Sequence, residues 1–296
     1  MKLLITGANG QLGQDLVQHA RIKSITCIEA DLPEYDICRP EGIYALVQDQ
    51  KPDVLINAAA YTLVDRCETE TDLAFAVNGE GPKALARICK EKGIPLIHIS
   101  TDYVFNGKSD RPYREDDPTS PLSVYGKSKE AGERAIRTIP MHLIVRTSWL
   151  YGVHGGNFVK TMLRLGKEKD TLRVVADQYG SPTCAADLAG AVITLAELIT
   201  RKDQSVPWGT YHYCNQGIIS WYDFARAIFE IASRHTRLPL SRVLPIPASE
   251  YPTPAVRPAY SALNCKKIEA NFGIRQLPWK DSLEWTLHAM LCPDQE

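Results

Sequence analysis

The sequence predicts an α/β protein: a doubly wound parallel sheet followed by a smaller α/β C-terminal domain. Three observations lead there. Continuous apolar runs alternate with amphipathic stretches through roughly the first half of the chain. A glycine-rich turn stands between the first run and the first helical stretch. Beyond about residue 150 the alternation loosens, which divides the chain into 1–150 and 151–296, with some later segments expected to pack back onto the first part.

The elements follow in order. "KLLIT", "ITCIE", "DVLIN", "PLIHIS" and "HLIVRTS" are short runs of mostly branched residues, as expected of strands covered on both faces by helices. Between them "GQLGQDLVQHA", "PEGIYALVQDQ", "LAFAVNGEGPKALARICKEKG" and "YGKSKEAGERAIRT" carry helical periodicity. In the second part "NFVKTMLRLGKEK", "AADLAGAVITLAELI" and "WYDFARAIFEIASRH" read as helices, and "LRVV" and "TYHYC" as short strands. The proline-rich "LPIPASEYPTPAVRPAY" is too aromatic for a disordered linker and reads as an ordered, stiff loop.

The turn "TGANGQLG" places Gly7, Gly10 and Gly13 between the first strand and the first helix. Glycine suits a tight turn whose backbone must approach a pyrophosphate, and the helix N-terminus adds unpaired N–H groups and a positive dipole end. Position makes this a dinucleotide-binding (Rossmann) signal, where a bare glycine triplet would be weak. A carboxylate some 20 residues on would meet the adenosine ribose; Glu29, Asp31 and Asp36 compete for that place and favour NAD over NADP. The small "NAAA" at 57–60 either lets a cofactor lie against the strand ends or serves close helix–sheet packing.

At another strand end, "HISTDYVFNG" projects Ser100, Thr101 and Asp102 from the carboxyl edge where open α/β sheets bind ligands. Tyr125 and Lys129 follow, four apart on a helix and therefore on one face. Such a pair alone is usually a solvated surface. In this order after a glycine turn, it reads as a proton donor with a cation beside it, the ammonium lowering the phenol's pKa. Lys127 lies off that face.

A net charge of −1 gives no support for a nucleic-acid or anionic membrane surface. Eight scattered cysteines without C-x-x-C spacing argue for reduced thiols and against a zinc site. "MKLLITGANG" is too short for a signal-peptide core, and no run is long enough to span a bilayer, so a cytoplasmic protein is expected.

"TGANGQLG", "NAAAYTLVD", "STDYVF", "YGKSK" and "RTSWLYG", with "WYDFA", "YPTPAVRP" and "SALN", resemble the extended short-chain dehydrogenase/reductases over nearly the whole chain. The resemblance implies Tyr125, Lys129 and Thr101 as the catalytic group. It implies cofactor contacts at Gly7, Gly10, Gln11, Leu12, Gly13, Asp36, Ile37, Ala58, Ala59, Ala60, Tyr125 and Lys129. Substrate contacts fall on Thr101, Asp102 and Trp149, with Thr62 and Val64 lining the same pocket. Arg257 either meets a nucleotide diphosphate or is an exposed loop arginine. The implied reaction moves a hydride from NADPH or NADH to C4 of a dTDP-linked keto-deoxysugar, dTDP-4-dehydro-L-rhamnose, with Tyr125 protonating O4.

Related enzymes set the alternatives. A 4,6-dehydratase has a glutamate after the strand-end aspartate, where this chain has Tyr103. A 4-epimerase uses the same proton relay, and a regulatory subunit of the same fold would dispense with the intact Tyr125, Lys129 and Thr101. Some bacterial members dimerise around Mg²⁺. Asp15 fits the first ligand position, but Ala186 fills the second (Asp187 is one step off) and "LEWTLHAML" offers no acid near its end. No metal site is therefore expected, and a monomer or weak homodimer is.

Overall fold

The protein is described by a computed structural model covering residues 1–201 and 205–292. Strand β1 (Lys2–Thr6) and helix α1 (Gln11–Ile22) are followed by β2 (Thr26–Ala30), α2 (Pro40–Gln50) and β3 (Val54–Asn57). Short α3 (Val64–Cys67) and α4 (Thr71–Phe75) run through a π turn (Ala76–Glu80) into α5 (Gly81–Lys92). Then come β4 (Leu96–Thr101), a 3₁₀ turn (Asp102–Val104), α6 (Val124–Ile136) and β5 (His142–Thr147). The remainder supplies β6 (Leu150–Tyr151), α7 (Phe158–Glu168), β7 (Thr171–Val175), β8 (Tyr179–Gly180), β9 (Thr183–Cys184) and α8 (Ala185–Ile199). After these follow β10 (Gly209–His212), β11 (Ile219–Ser220), α9 (Trp221–Ala232), β12 (Arg242–Ile246), α10 (Lys266–Phe272) and α11 (Trp279–Leu291).

The main sheet has the order β2-β1-β3-β4-β5-β10, and every pair in it is parallel. The chain leaves β1 in one direction for β2 and returns in the other for β3. The crevice at the carboxyl ends of β1 and β3 is thus the switch point where such sheets bind ligands. Leu3, Ile5, Ile56, Ile97 and Val145 join one core with α1 and α8, while Leu4, Leu55, Leu96 and Ile144 join another with α2, α5 and α6. Both faces are buried, which is why the strands read as unbroken apolar runs.

Three elements cross the division at residue 150, among them α10, whose Ile268 joins the first core. β10 forms the sheet edge beside β5, and α8 packs against α1. A second core, centred on Phe224, Ile228, Leu283 and Leu287, joins α9 and α11 to α7 and β7. Among the described residues no helix is long and apolar enough to cross a membrane.

Two sequence expectations need correction. Leu244–Ile246, read as loop, complete β12, which pairs in parallel with β7. Pro245 is tolerated because this ribbon has only two strands, so each strand is an edge. The long helical pattern at 73–93 is interrupted by the π turn. Within it Asn78, fully buried, accepts from the Tyr61 N–H at 2.9 Å and donates to the Tyr61 carbonyl at 3.0 Å and to Ser128 Oγ at 3.1 Å. The turn thus ties the loop after β3 to α6.

Candidate active site

Gly7 has φ +74°, a left-handed conformation that favours glycine. A Cβ there would lie 2.5 Å from the Ala59 nitrogen, so the turn presses directly on the segment after β3. A Cβ on Gly13 would lie 2.0 Å from the Gly7 carbonyl oxygen, and Gly10 donates its N–H to the same oxygen at 3.0 Å. α1 begins without a side-chain cap and without an acid in its first turn, leaving the dipole end uncompensated. These features fit a pyrophosphate. A groove of about 460 Å³ lined by Ala8, Asn9, Gln14, Arg21, Glu29 and His154 borders the turn.

Of the three candidate ribose carboxylates, Asp31 reaches the turn, accepting the Asn9 N–H at 2.7 Å. Glu29 pairs with Arg21 at 2.7 Å, and Asp36 lies 3.6 Å from Arg39 and accepts the Cys38 N–H. Ile37 is a core side chain wedged against Gly81, and Leu12 is buried under α8 and the sheet. Gln11 accepts from Asn157, the cap of α7, at 2.9 Å, which joins the glycine turn to the second part of the chain. Ala58, Ala59 and Ala60 are half-buried at the end of β3.

The candidate reacting centre lies where α6 meets the tip of β4. Ser123 caps α6 by accepting the Gly126 N–H. A Cβ on Gly126 would come within 2.2 Å of the Tyr103 carbonyl, so the helix start sits directly on the 3₁₀ turn. Tyr125 is buried, edge-on to Tyr103 with ring centroids 5.5 Å apart, and hydrogen-bonded to Thr101. Lys129, 2% exposed, donates to the Ile99 carbonyl at 2.7 Å. Thr101, Tyr125 and Lys129 are thus brought together.

Their electrostatics correct one expectation. Burial raises the Tyr125 pKa above that of an ordinary phenol, against the lowering effect of the Thr101 bond, with Asp102 and Tyr103 raising it further. Burial also brings the Lys129 ammonium down to about 8, opposed by Glu133. The ammonium is engaged by the Ile99 carbonyl, and desolvation dominates both groups, so the phenol is not acidified in this state.

Asp102 is buried beside Thr101, whose hydroxyl donates to Oδ1 at 3.0 Å, while Oδ2 has no partner among the described residues. Burial pushes its pKa up to about 6, against bonds from Ser261 and Thr101. Trp149 adopts φ +47°, unusual for a bulky residue and a sign of a conformation imposed by its surroundings. Its ring stacks on Trp221 at 3.5 Å between centroids and 8° between planes, and a Cβ on Gly180 would lie 2.5 Å from it. Val64 joins the small apolar cluster around Tyr125, whereas the Thr62 residue is exposed. Arg257 forms a two-pronged ion pair with Asp65 at 2.8 and 3.0 Å, fastening the proline-rich segment to α3.

Asn78, Trp221 and Glu133 were not singled out from the sequence. The π turn left no local sign in Asn78, and Trp221 read as one helical aromatic among several. Glu133 could have been found, since it continues the Tyr125–Lys129 spacing by one more turn.

Asp15, Ala186, Asp187 and Asp281 line one cavity of about 430 Å³ with Trp285. The Asp187 carboxylate is already engaged by Asn215 at 2.6 Å and by Ser282. Among the described residues no three His, Cys, Asp or Glu side chains stand together as a metal site.

A glycine turn at the switch point, with Thr, Tyr and Lys converging at a neighbouring strand end, defines a dinucleotide-dependent oxidoreductase fold of the short-chain dehydrogenase type. The chain belongs to the RmlD substrate binding domain family, which matches residues 1–292, the family of the dTDP-4-dehydrorhamnose reductases. It is 43% identical to the dTDP-4-dehydrorhamnose reductase of Sinorhizobium fredii over 98% of both chains. Among solved structures it is similar to that of a dTDP-4-dehydrorhamnose reductase from Clostridium acetobutylicum, with a TM-score of 0.91 and 41% identity over 98% of this chain and 99% of that one. A Bacillus anthracis dTDP-4-dehydrorhamnose reductase in complex with NADP gives a TM-score of 0.89 at 40% identity, over 96% and 98% of the two chains.

Proposed function

We propose that the chain reduces the C4 keto group of dTDP-4-dehydro-L-rhamnose, using NADPH or NADH. The observation that carries this reading is the convergence of Tyr125 and Lys129, on one buried face of α6, with Thr101 at the tip of β4. The dinucleotide would supply the hydride when bound along the glycine turn, with Asp31 at the adenosine side and Ala58, Ala59 and Ala60 beneath it. Tyr125 would give its proton to the substrate oxygen as charge develops there, and Thr101 would share that hydrogen bond. A high phenol pKa suits this direction, since the group is fully protonated when the ketone arrives. Lys129 would exchange the Ile99 carbonyl for the nicotinamide ribose.

Residues 1–150 would hold the cofactor and residues 151–296 mainly the sugar nucleotide, with β10 and α8 serving the first unit. Trp149 and Trp221 would offer an apolar wall to the deoxysugar, Asp102 an acceptor for a hydroxyl, and Val64 and Thr62 the rim. Arg257 would meet the diphosphate by releasing or sharing Asp65. A cytoplasmic monomer or weak homodimer is the accompanying reading; light scattering with and without EDTA checks it, and an EDTA-sensitive dimer contradicts it.

The test is incubation of the purified protein with the 4-keto sugar nucleotide and NADPH. Oxidation of one NADPH per product is expected. Sugar turnover without net NADPH consumption would instead indicate a 4-epimerase.

A further inference from the structure

Tyr125, Lys129 and Glu133 recur at every fourth residue of α6 and share one face. Glu133 is wholly buried, and its carboxylate receives Arg146 Nε and Nη2 at 2.8 Å each, Ser100 Oγ at 2.6 Å and Arg137 Nη2 at 2.5 Å. Ser100 immediately precedes Thr101, and Arg146 lies opposite Ser100 in the β4–β5 register. Arg146 is itself 1% exposed, with its guanidinium 4.9 Å from the centroid of the Phe105 ring and Nη1 3.4 Å from His212 Nε2 on β10. Apolar residues of similar volume often serve stability as well as a buried ion pair does. A forked, fully bonded pair adds direction: it fixes where α6 sits along β4 and β5, and hence where Tyr125 and Lys129 meet Thr101.

We propose that Glu133 is a positioning residue for the reaction: pinned by Arg146 and Ser100, it locks the reactive face of α6 against the tip of β4 and supplies the counter-charge to the Lys129 ammonium. The proposal rests on the reductase reading. The groups facing this line of side chains are His98 on β4, Arg146 on β5 with His212 on β10 behind it, and Tyr125 and Arg137 on α6 itself. Burial drives both His98 and His212 well below the usual histidine range, so both are neutral. The charge that acts on Lys129 is therefore that of Glu133.

The test uses the full chain carrying Glu133→Gln. Lys129 is titrated by NMR with ¹³C-labelled lysine, NADPH binding is measured by fluorescence, and kcat is measured against pH. The expected result is a fall in the Lys129 pKa of about one unit, with the alkaline limb of kcat moving down alongside it. kcat at neutral pH should fall at least about tenfold while the NADPH dissociation constant stays within about threefold. If the single variant does not fold, Glu133→Gln with Arg146→Gln removes both charges without leaving a buried guanidinium unpaired; kcat should remain low and Lys129 should still titrate below its wild-type position. An unmoved Lys129 titration in the single variant, or wild-type kcat in the double variant, overturns this role and leaves the reductase reading standing. Wild-type protein that oxidises no NADPH with the keto sugar overturns the reductase reading and this role together.

Discussion

Glu133 beneath the end of β4 and Asp102 at its tip are both buried carboxylates, yet the two regions hold them differently. At Glu133 burial raises the pKa, but Arg146, Ser100 and Arg137 together outweigh it and hold the carboxyl below its usual range. At Asp102, among the described residues, no guanidinium is hydrogen-bonded to the carboxylate and one oxygen has no partner, so burial wins. The first region is saturated and fixed in charge. The second keeps an acceptor in reserve where the sugar is proposed to bind, and burial raises its pKa to about 6. Buried charge is thus fully partnered in one place and only partly in the other, and the difference lies in the groups brought to each.

The proposed proton donor, Tyr125, between the two regions gives the largest expected effect. Tyr125→Phe should lower kcat by roughly 10²–10⁴-fold while NADPH affinity persists, since only the proton donor is lost. Stopped-flow turnover with a parallel fluorescence titration checks it; near-normal kcat would place the acid elsewhere.

Stability against pH sharpens the contrast, because the signs are opposite. Glu133, with a lowered pKa in the fold, contributes stability that is present above the unfolded carboxyl pKa and lost as pH falls through its folded value. Glu133→Gln should therefore destabilise at pH 7 by about 3–5 kcal/mol, as expected for a broken buried pair. Asp102 has a raised pKa, so the native state retains its proton between the unfolded value and about 6, and stability falls as pH rises through that window. Asp102→Asn should stabilise the protein at pH 7.5 by up to about 3 kcal/mol and give no gain below pH ~4, while slowing turnover. Urea unfolding at the two pH values measures both variants; destabilisation by Asp102→Asn at pH 7.5 would remove the contrast.

A smaller effect is expected at the aromatic wall. Trp221→Ala removes the ring on which Trp149 stacks and should raise KM for the sugar nucleotide about tenfold, with kcat within about twofold. A fall in kcat with unchanged KM would show that Trp149 serves the chemistry itself.

The legible part of the site was local. Gly7, Gly10 and Gly13 announce themselves because a tight turn between strand and helix restricts the residue type, and Tyr125 and Lys129 because one helical turn puts them on a common face. Thr101 followed from its place at a strand end. Less legible were features set by distant partners. The phenol's pKa was expected to fall beside an ammonium, but desolvation dominates and raises it, and the ammonium is bonded to Ile99. Arg257 could not be assigned a partner, because Asp65 lies far away in sequence. The 244–246 segment gave no strand signal, because Pro245 masks a ladder formed with β7.

By itself, then, the sequence determined the main alternation of strands and helices in the first half, the glycine turn and the residues that could exchange a proton, since each depends on periodicity or on spacing within a few residues. Only the tertiary structure decided that β10 and α8 return to the first sheet, that Trp221 backs Trp149, and that Glu133 is braced while Asp102 is left with an unpartnered oxygen. Those outcomes depend on burial and on partners brought together from separate elements, and neither is encoded in any short stretch of chain.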